Sequence, residues 1–190
     1  NDHLFPSQLS FDQGPIVDSP SNDDLFAILN SCINSFDEVF IILHSRELNP
    51  VFDIVSNFIS KNPGRASVHL IDSQTLSIGQ GYLVQRAASM IEKKVDGSIV
   101  EQRLREEIPH IYTLLCTPNL SYLHTAGFID VGQCVVGEMG SLLPIFGLED
   151  GKLNPLDKEK SIHGVIEYFT EFIEEFDNLS QISFLQPKTA

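Results

Sequence analysis

Two short apolar runs, residues 39–43 and 67–71, the first of them continuous, each lead into a polar loop and then into apolar positions at helical spacing. No other feature narrows the fold as far. The first, apolar along its whole length, is expected to be a strand buried on both faces. Strands that alternate with helices through short loops are joined by right-handed crossovers into a parallel sheet. Ahead of the first run, Ser21 and the acidic pair Asp23 and Asp24 suit an N-cap and first turn, followed by a helical face of Leu25, Phe26, Ile28, Leu29, Cys32 and Ile33. Between the runs, Pro50 opens a second helix with Val51, Ile54, Val55 and Phe58, closed by Pro63 and Gly64. A third helix over about 78–94, a fourth over 99–108 and a further strand over 111–116 are expected to extend the same α/β unit.

The junction after the second run is the densest in candidate chemistry. Ile71 is followed by Asp72 and Ser73, then by Ser77, Gly79 and Gly81, and then by Leu83, Ala87, Met90 and Ile91 at helical spacing. A strand–loop–helix junction aims several backbone N–H groups and the positive end of a helix dipole beyond the strand's carboxyl end, where a carboxylate or phosphate fits. The spacing equally admits a plainer reading, in which Ser77 caps the helix and the glycines permit the turn. Ligands of open α/β sheets sit beyond the strands' carboxyl ends, which here carry Ser45, Ser73 and Thr117.

After Thr117 the pattern changes, and the sequence divides into domains at 1–117 and 118–190. The second is expected to hold a short helix from Pro118, an apolar stretch over 131–136 broken by Gly137 and Gly140, an extended segment over 141–146 and a turn at 149–151. A long amphipathic helix follows over about 161–176, with Val165, Ile166, Phe169, Phe172, Ile173 and Phe176 on one face, and a last strand over 181–185.

Charge excludes some partners. The chain carries 12 basic against 26 acidic residues, a net charge of −14. Nucleic-acid binding is dominated by phosphate neutralisation, so no nucleic-acid role is expected. No apolar run reaches the ~18 residues of a membrane helix, and the opening residues do not read as a signal peptide, so a cytoplasmic protein without integral membrane association is expected. Cys32, Cys116 and Cys134 are odd in number and lie in apolar runs, which points to free buried thiols. The six histidines make no HxxxH or HExxH spacing, so neither a metal nor a cofactor is expected. Ser45 or Ser73 with His44, His69 or His124 imitates a nucleophile and its base, but no GxSxG or SxxK accompanies them, and a non-catalytic role is expected.

Taken in order, these segments resemble the DegV family of bacterial fatty-acid-binding proteins. IDSQTLSIGQGYLVQRAASMI is similar to that family's DS…S.G.G motif and following helix, NLSYLHTAGFID to "dLeyLkkGGRis", and GSLLPIFGLEDGKLNPLDKEKS to "lL.iKPIl…dG.i….K.R". PIVDSPSNDDLF and HSRELNPVFDIV pair with "TSQPS…dF" and "SSkLSGTY", and the likeness spans roughly residues 15 to 175. The resemblance implies a parallel-sheet α/β domain packed on a second α+β domain, with a long-chain fatty acid in an apolar tunnel. It assigns the acid's carboxylate to Ser45, Ser73, Ser77, Gly79, Gly81 and Ser19, and the acyl tunnel or domain contacts to Phe128, Ile129, Leu143 and Pro144. It further implies a protein that performs no chemistry itself and presents the acid to a fatty acid kinase.

The chain departs from the pattern at several of these positions. Arg46, Asn49, Pro50 and Val51 stand where the family has Ser, Ser, Gly and Thr, Asp18 falls at or beside a hydroxyl position, Phe128 replaces an arginine and Leu143 a lysine. No segment matches the family's "DSTaDL" or "HxGPG". A divergent, shortened member is therefore expected, and the losses among anion-binding groups support an alternative, a degenerate relative serving as an interaction or regulatory protein without lipid.

Overall fold

The computed structural model describes residues 20–118 and 120–186. These form two compact units, one over residues 20–113 with 148–152 and 183–186, the other over 114–147 with 153–182.

The first unit begins with α1 (Asn22–Ser35), whose N-cap Ser21 accepts from the Asp24 amide. Strand β1 (Glu38–Leu43), helix α2 (Val51–Lys61), strand β2 (Ser67–Asp72), helix α3 (Ser77–Glu92) and helix α4 (Gly97–Glu107) follow, closing on a 3-10 turn at Ile108–His110. β1 and β2 pair in parallel, with Glu38 opposite Ser67 and Leu43 opposite Asp72. Alternate side chains of the two strands enter different cores, which is why the first run is apolar throughout and the second is broken only by Ser67 and His69. Ile41, Leu43, Val68 and Leu70 pack with Leu29, Ile33, Val55 and Phe58 of α1 and α2. Phe40, Ile42 and Ile71 pack with Leu83, Ala87, Met90, Val100 and Leu104 of α3 and α4.

One polar residue sits inside the second core. His69 is 8% exposed and stacked on Phe40, with ring centroids 4.4 Å apart. Its Nδ1 meets Glu101 Oε2 at 2.6 Å and its Nε2 meets Glu38 Oε1 at 3.1 Å, tying β1, β2 and α4 together.

The second unit contains β3 (Leu114–Cys116), α5 (Leu120–Thr125), α6 (Val131–Met139), β4 (Leu143–Glu149), β5 (Lys152–Glu159) and α7 (Ile162–Glu174), with the tip of the β4–β5 hairpin grouped in the first unit. The strands form one sheet in the order β3-β4-β5, and β3 runs antiparallel to β4 with Leu115 opposite Phe146.

Three expectations are corrected. The apolar segment 111–116 does not extend the parallel sheet, because only Leu114–Cys116 is strand and it belongs to the antiparallel sheet. An apolar run encodes burial, not the identity of the neighbouring strand. Gly137 does not break the apolar stretch before it, since α6 runs through it to Met139. A Cβ at Gly137 would stand 2.2 Å from Leu120 Cδ1, so this glycine is the notch that lets α5 lie against α6. Residues 181–185 form no strand, and Phe184 and Leu185 are about three-quarters exposed. Strand composition makes a strand only where a neighbouring edge is open to pair with it. The amphipathic helix α7 is present, although Val165 is the buried member of its apolar face and Ile166 is 56% exposed.

Candidate functional site at the strand ends

The carboxyl ends of β1 and β2 are laced together by backbone. Ser73 N–H donates to the Leu43 carbonyl and Ser45 N–H to the Thr75 carbonyl, each at 2.9 Å. The carboxylate of Asp72, the last residue of β2, accepts from the amides of Gln74 at 3.0 Å and Arg46 at 3.3 Å. An Asx-type turn of this kind reverses the chain at once, and Gln74 takes a left-handed φ of 50° within it. The loop is thereby held close to the start of α3, and Gln80 fastens that helix to β1 by donating to the Ile42 carbonyl at 3.0 Å.

Three hydroxyls collect inside this lacing, on Ser45, Ser73 and Thr75, each at most 2% exposed. Ser45 Oγ donates to the Gly151 carbonyl at 2.7 Å and accepts from the Glu47 amide at 3.2 Å. Ser73 Oγ donates to the Thr75 carbonyl at 3.2 Å. Thr75 Oγ1 lies 2.9 Å from Thr113 Oγ1. Among the described residues, no buried side-chain nitrogen or oxygen lacks a partner.

The positions nominated in sequence thus divide. Ser45 and Ser73 come together in the buried cluster. Ser77 is exposed, has a φ of 51° and is the first residue of α3 rather than its cap. Leu76 holds the N-cap position and supplies no side-chain cap, so the plainer reading of Ser77 as a capping residue is overturned. Gly79 packs under the loop, where an added Cβ would stand 2.5 Å from Thr75 Oγ1 and 3.0 Å from Ile111 Cγ2. Gly81 faces open space, with nothing within 4 Å of an added Cβ. Ser19 lies outside the described residues. In the second unit, Phe128 is 41% exposed beyond α5, while Ile129 and the β4 residues Leu143 and Pro144 are half-buried.

Thr75, Thr113 and Gly151 were not foreseen from the sequence. Thr75 stands inside the motif and was legible by position. Nothing in the spacing connects it to Thr113, 38 residues on, or Ser45 to Gly151, 106 residues on.

The charges near this end are mutually engaged. Arg46 pairs with Asp53 at 2.5 Å and lies over the Phe52 ring, 5.1 Å from its centroid, and Lys152 approaches Glu47 at 3.9 Å. The serine hydroxyls donate to backbone carbonyls rather than to an imidazole, His69 is committed to two glutamates, and His124 Nδ1 meets the Ile129 carbonyl at 3.1 Å. No serine–histidine pair of a nucleophilic enzyme is therefore assembled among these residues. No cluster of metal-binding side chains occurs among the described residues, where all three cysteines are free thiols. Burial pushes the Cys116 thiol above its ordinary range.

Known proteins share this framework. A DegV domain-containing protein of Caldanaerobacter subterraneus subsp. tengcongensis is 26% identical over 161 residues, which is 81% of this chain and 56% of the relative. The chain spans little more than half the length of such relatives. Among solved structures, a DegV family protein of Thermus thermophilus described by its fatty acid binding superposes with a TM-score of 0.71 at 21% identity, over 86% of this chain and 57% of that one. The fatty acid binding DegV family protein of Streptococcus agalactiae gives 0.69 at 19% identity, over 82% and 56%. At such identities the likeness is one of fold. The profile of the family described as "Uncharacterised protein, DegV family" matches residues 15–184, and the chain belongs to the DegV family.

Proposed function

We propose that this chain binds a long-chain fatty acid without transforming it, holding the carboxylate beyond the carboxyl ends of β1 and β2. The observation that carries this reading is the buried hydroxyl cluster of Ser45, Ser73 and Thr75 beside the start of α3, a helix without a side-chain cap. Hydroxyls and first-turn amides are neutral donors suited to an anion in a partly desolvated place. Family membership adds the ligand class, because relatives of the same fold are described as fatty acid binding. In this reading Ser45, Ser73, Ser77, Gly79 and Gly81 form the head-group loops, joined by Ser19. The acyl chain is taken up by apolar side chains, for which Phe128, Ile129, Leu143 and Pro144 are the nominees. Each buried methylene contributes about 0.8 kcal/mol, so the tail supplies affinity and the head-group loops supply orientation. Presentation of the bound acid to a fatty acid kinase completes the proposal.

A second reading has its own support. The hydroxyl protons of Ser45 and Ser73 are already given to backbone carbonyls, as expected of an interaction protein that has lost its ligand. Solvent extraction and mass spectrometry of the purified chain, followed by calorimetric titration with palmitate, separate the two. A co-purifying acid of about 14–18 carbons, and binding weakened by Ser73→Ala, support the carrier, whose tail burial supplies most of the affinity. A ligand-free protein that ignores palmitate supports the interaction protein.

A further inference from the structure

The β4–β5 hairpin turns through Asp150 and Gly151, with φ of 50° and 78°. A two-residue type I′ turn requires both to be left-handed, and Asp-Gly is among the pairs that adopt it most readily. The second of the two carbonyls, on Gly151, takes the Ser45 hydroxyl proton, and Ser45 is fully buried. A Cβ on Gly151 would stand 2.3 Å from Ser45 Oγ and 3.4 Å from Gln74 Cα, so the tip is seated against both strand-end loops. Lys152 faces Glu47 beside it. Residues 148–152 belong to the same unit as those loops.

A serine hydroxyl has one proton to donate. While the Gly151 carbonyl holds it, an arriving carboxylate meets only the lone pairs of Ser45, which repel it. We propose that the Asp150–Gly151 tip is a latch on the head-group site. The Gly151 carbonyl and the carboxylate compete for one proton, and Ser45 serves the acid only when the tip withdraws. This rests on the reading of Ser45 as a carboxylate ligand. The charge-assisted bond to a carboxylate is stronger than the neutral one to the Gly151 carbonyl, so the exchange favours the acid once the tip withdraws. The latch therefore sets affinity and release without forbidding either.

The test is a reversible clamp. Replacing both members of the facing pair, Glu47→Cys with Lys152→Cys, places a thiol on the tip and one on the loop, and their oxidation to a disulfide, verified by intact mass and peptide mapping, holds the tip down. Palmitate affinity is measured by calorimetry for the wild type and for the double variant, oxidised and reduced. The expected result is wild-type affinity when reduced and a loss of about tenfold or more when oxidised, the loss of one charge-assisted hydrogen bond. Gly151→Ala, whose methyl group meets Ser45 Oγ and whose side chain disfavours the left-handed φ of 78° that the turn needs, unseats the tip on both counts and is expected to tighten binding severalfold. Equal affinity of the oxidised, reduced and wild-type proteins overturns the latch and leaves fatty acid binding standing. A Gly151→Ala protein with unchanged or weaker affinity overturns it as well. If neither the wild type nor any variant binds palmitate, the carrier reading falls and the latch falls with it.

Discussion

Two glycines stand two residues apart in the first turns of α3, and the structure assigns opposite signs to the same substitution at each. At Gly81 an added methyl group meets nothing within 4 Å. Only helix propensity then changes, and Gly81→Ala is expected to stabilise the protein by about 0.5–1 kcal/mol. At Gly79 the methyl would stand 2.5 Å from Thr75 Oγ1 and 3.0 Å from Thr75 Cγ2. Thr75 cannot easily swing aside, because it is 2% exposed and its hydroxyl is held against Thr113. Overpacking of this kind costs about 1–3 kcal/mol, and losing the Thr75–Thr113 hydrogen bond costs about 1 kcal/mol more. Against these stands the same propensity gain of up to about 1 kcal/mol, leaving Gly79→Ala destabilised by about 1–3 kcal/mol. Urea unfolding followed by far-UV circular dichroism reads both variants at constant m-value. The physical cause is checked by adding Thr75→Ala, which removes the nearest atom, Oγ1, and Cγ2 and leaves only Ile111 Cγ2 at 3.0 Å, so the pair should show a favourable coupling of about 1 kcal/mol or more. Two alanine variants of equal stability would refute the packing argument, and so would a Gly79→Ala protein more stable than the wild type.

Other outcomes follow from the charged residues of the first unit. His69→Ala removes the group between Glu38 and Glu101 and leaves two carboxylates facing a void, so a loss of about 2 kcal/mol is expected in thermal unfolding, tempered by the exposure of Glu38. An unchanged Tm would show that the bridge contributes nothing. Glu107 is held below its ordinary carboxyl range by its hydrogen bonds to Arg86, and Glu101 by its hydrogen bond to His69. A depressed folded value contributes stability that is present above the unfolded value and is lost as pH falls through the folded one. Stability should therefore decline from about pH 5 downward, and Glu107→Gln should flatten that decline while lowering stability at pH 7. Identical pH profiles for the two proteins would contradict the assignment.

Much of the first unit was legible because its signals are local. The run around Val39 announced a strand buried on both faces and the run around Val68 a second strand, and Ile71, Leu83, Ala87 and Met90 of the adjoining segment enter one core as their spacing implied. Ser21 and Asp24 formed the cap that their order suggested. The segment at 111–116 was misread for the converse reason. Its hydrophobicity was visible, but the choice between joining β2 and joining β4 is made by whichever edge the folded chain offers. Residues 181–185 had strand composition and found no edge at all.

The candidate site shows the same division. Composition and spacing were sufficient to place Ser45 and Ser73 at strand ends and Gly79 in the turn of α3 that follows, because a strand, a tight loop and a helix are encoded within about a dozen residues. What those hydroxyls do was decided only in three dimensions. Ser45 gives its proton to Gly151, and Thr75 meets Thr113, through contacts closed by loops of 106 and 38 residues. A hydrogen bond is satisfied by whatever acceptor the tertiary fold brings within 3 Å, and no local pattern carries that address.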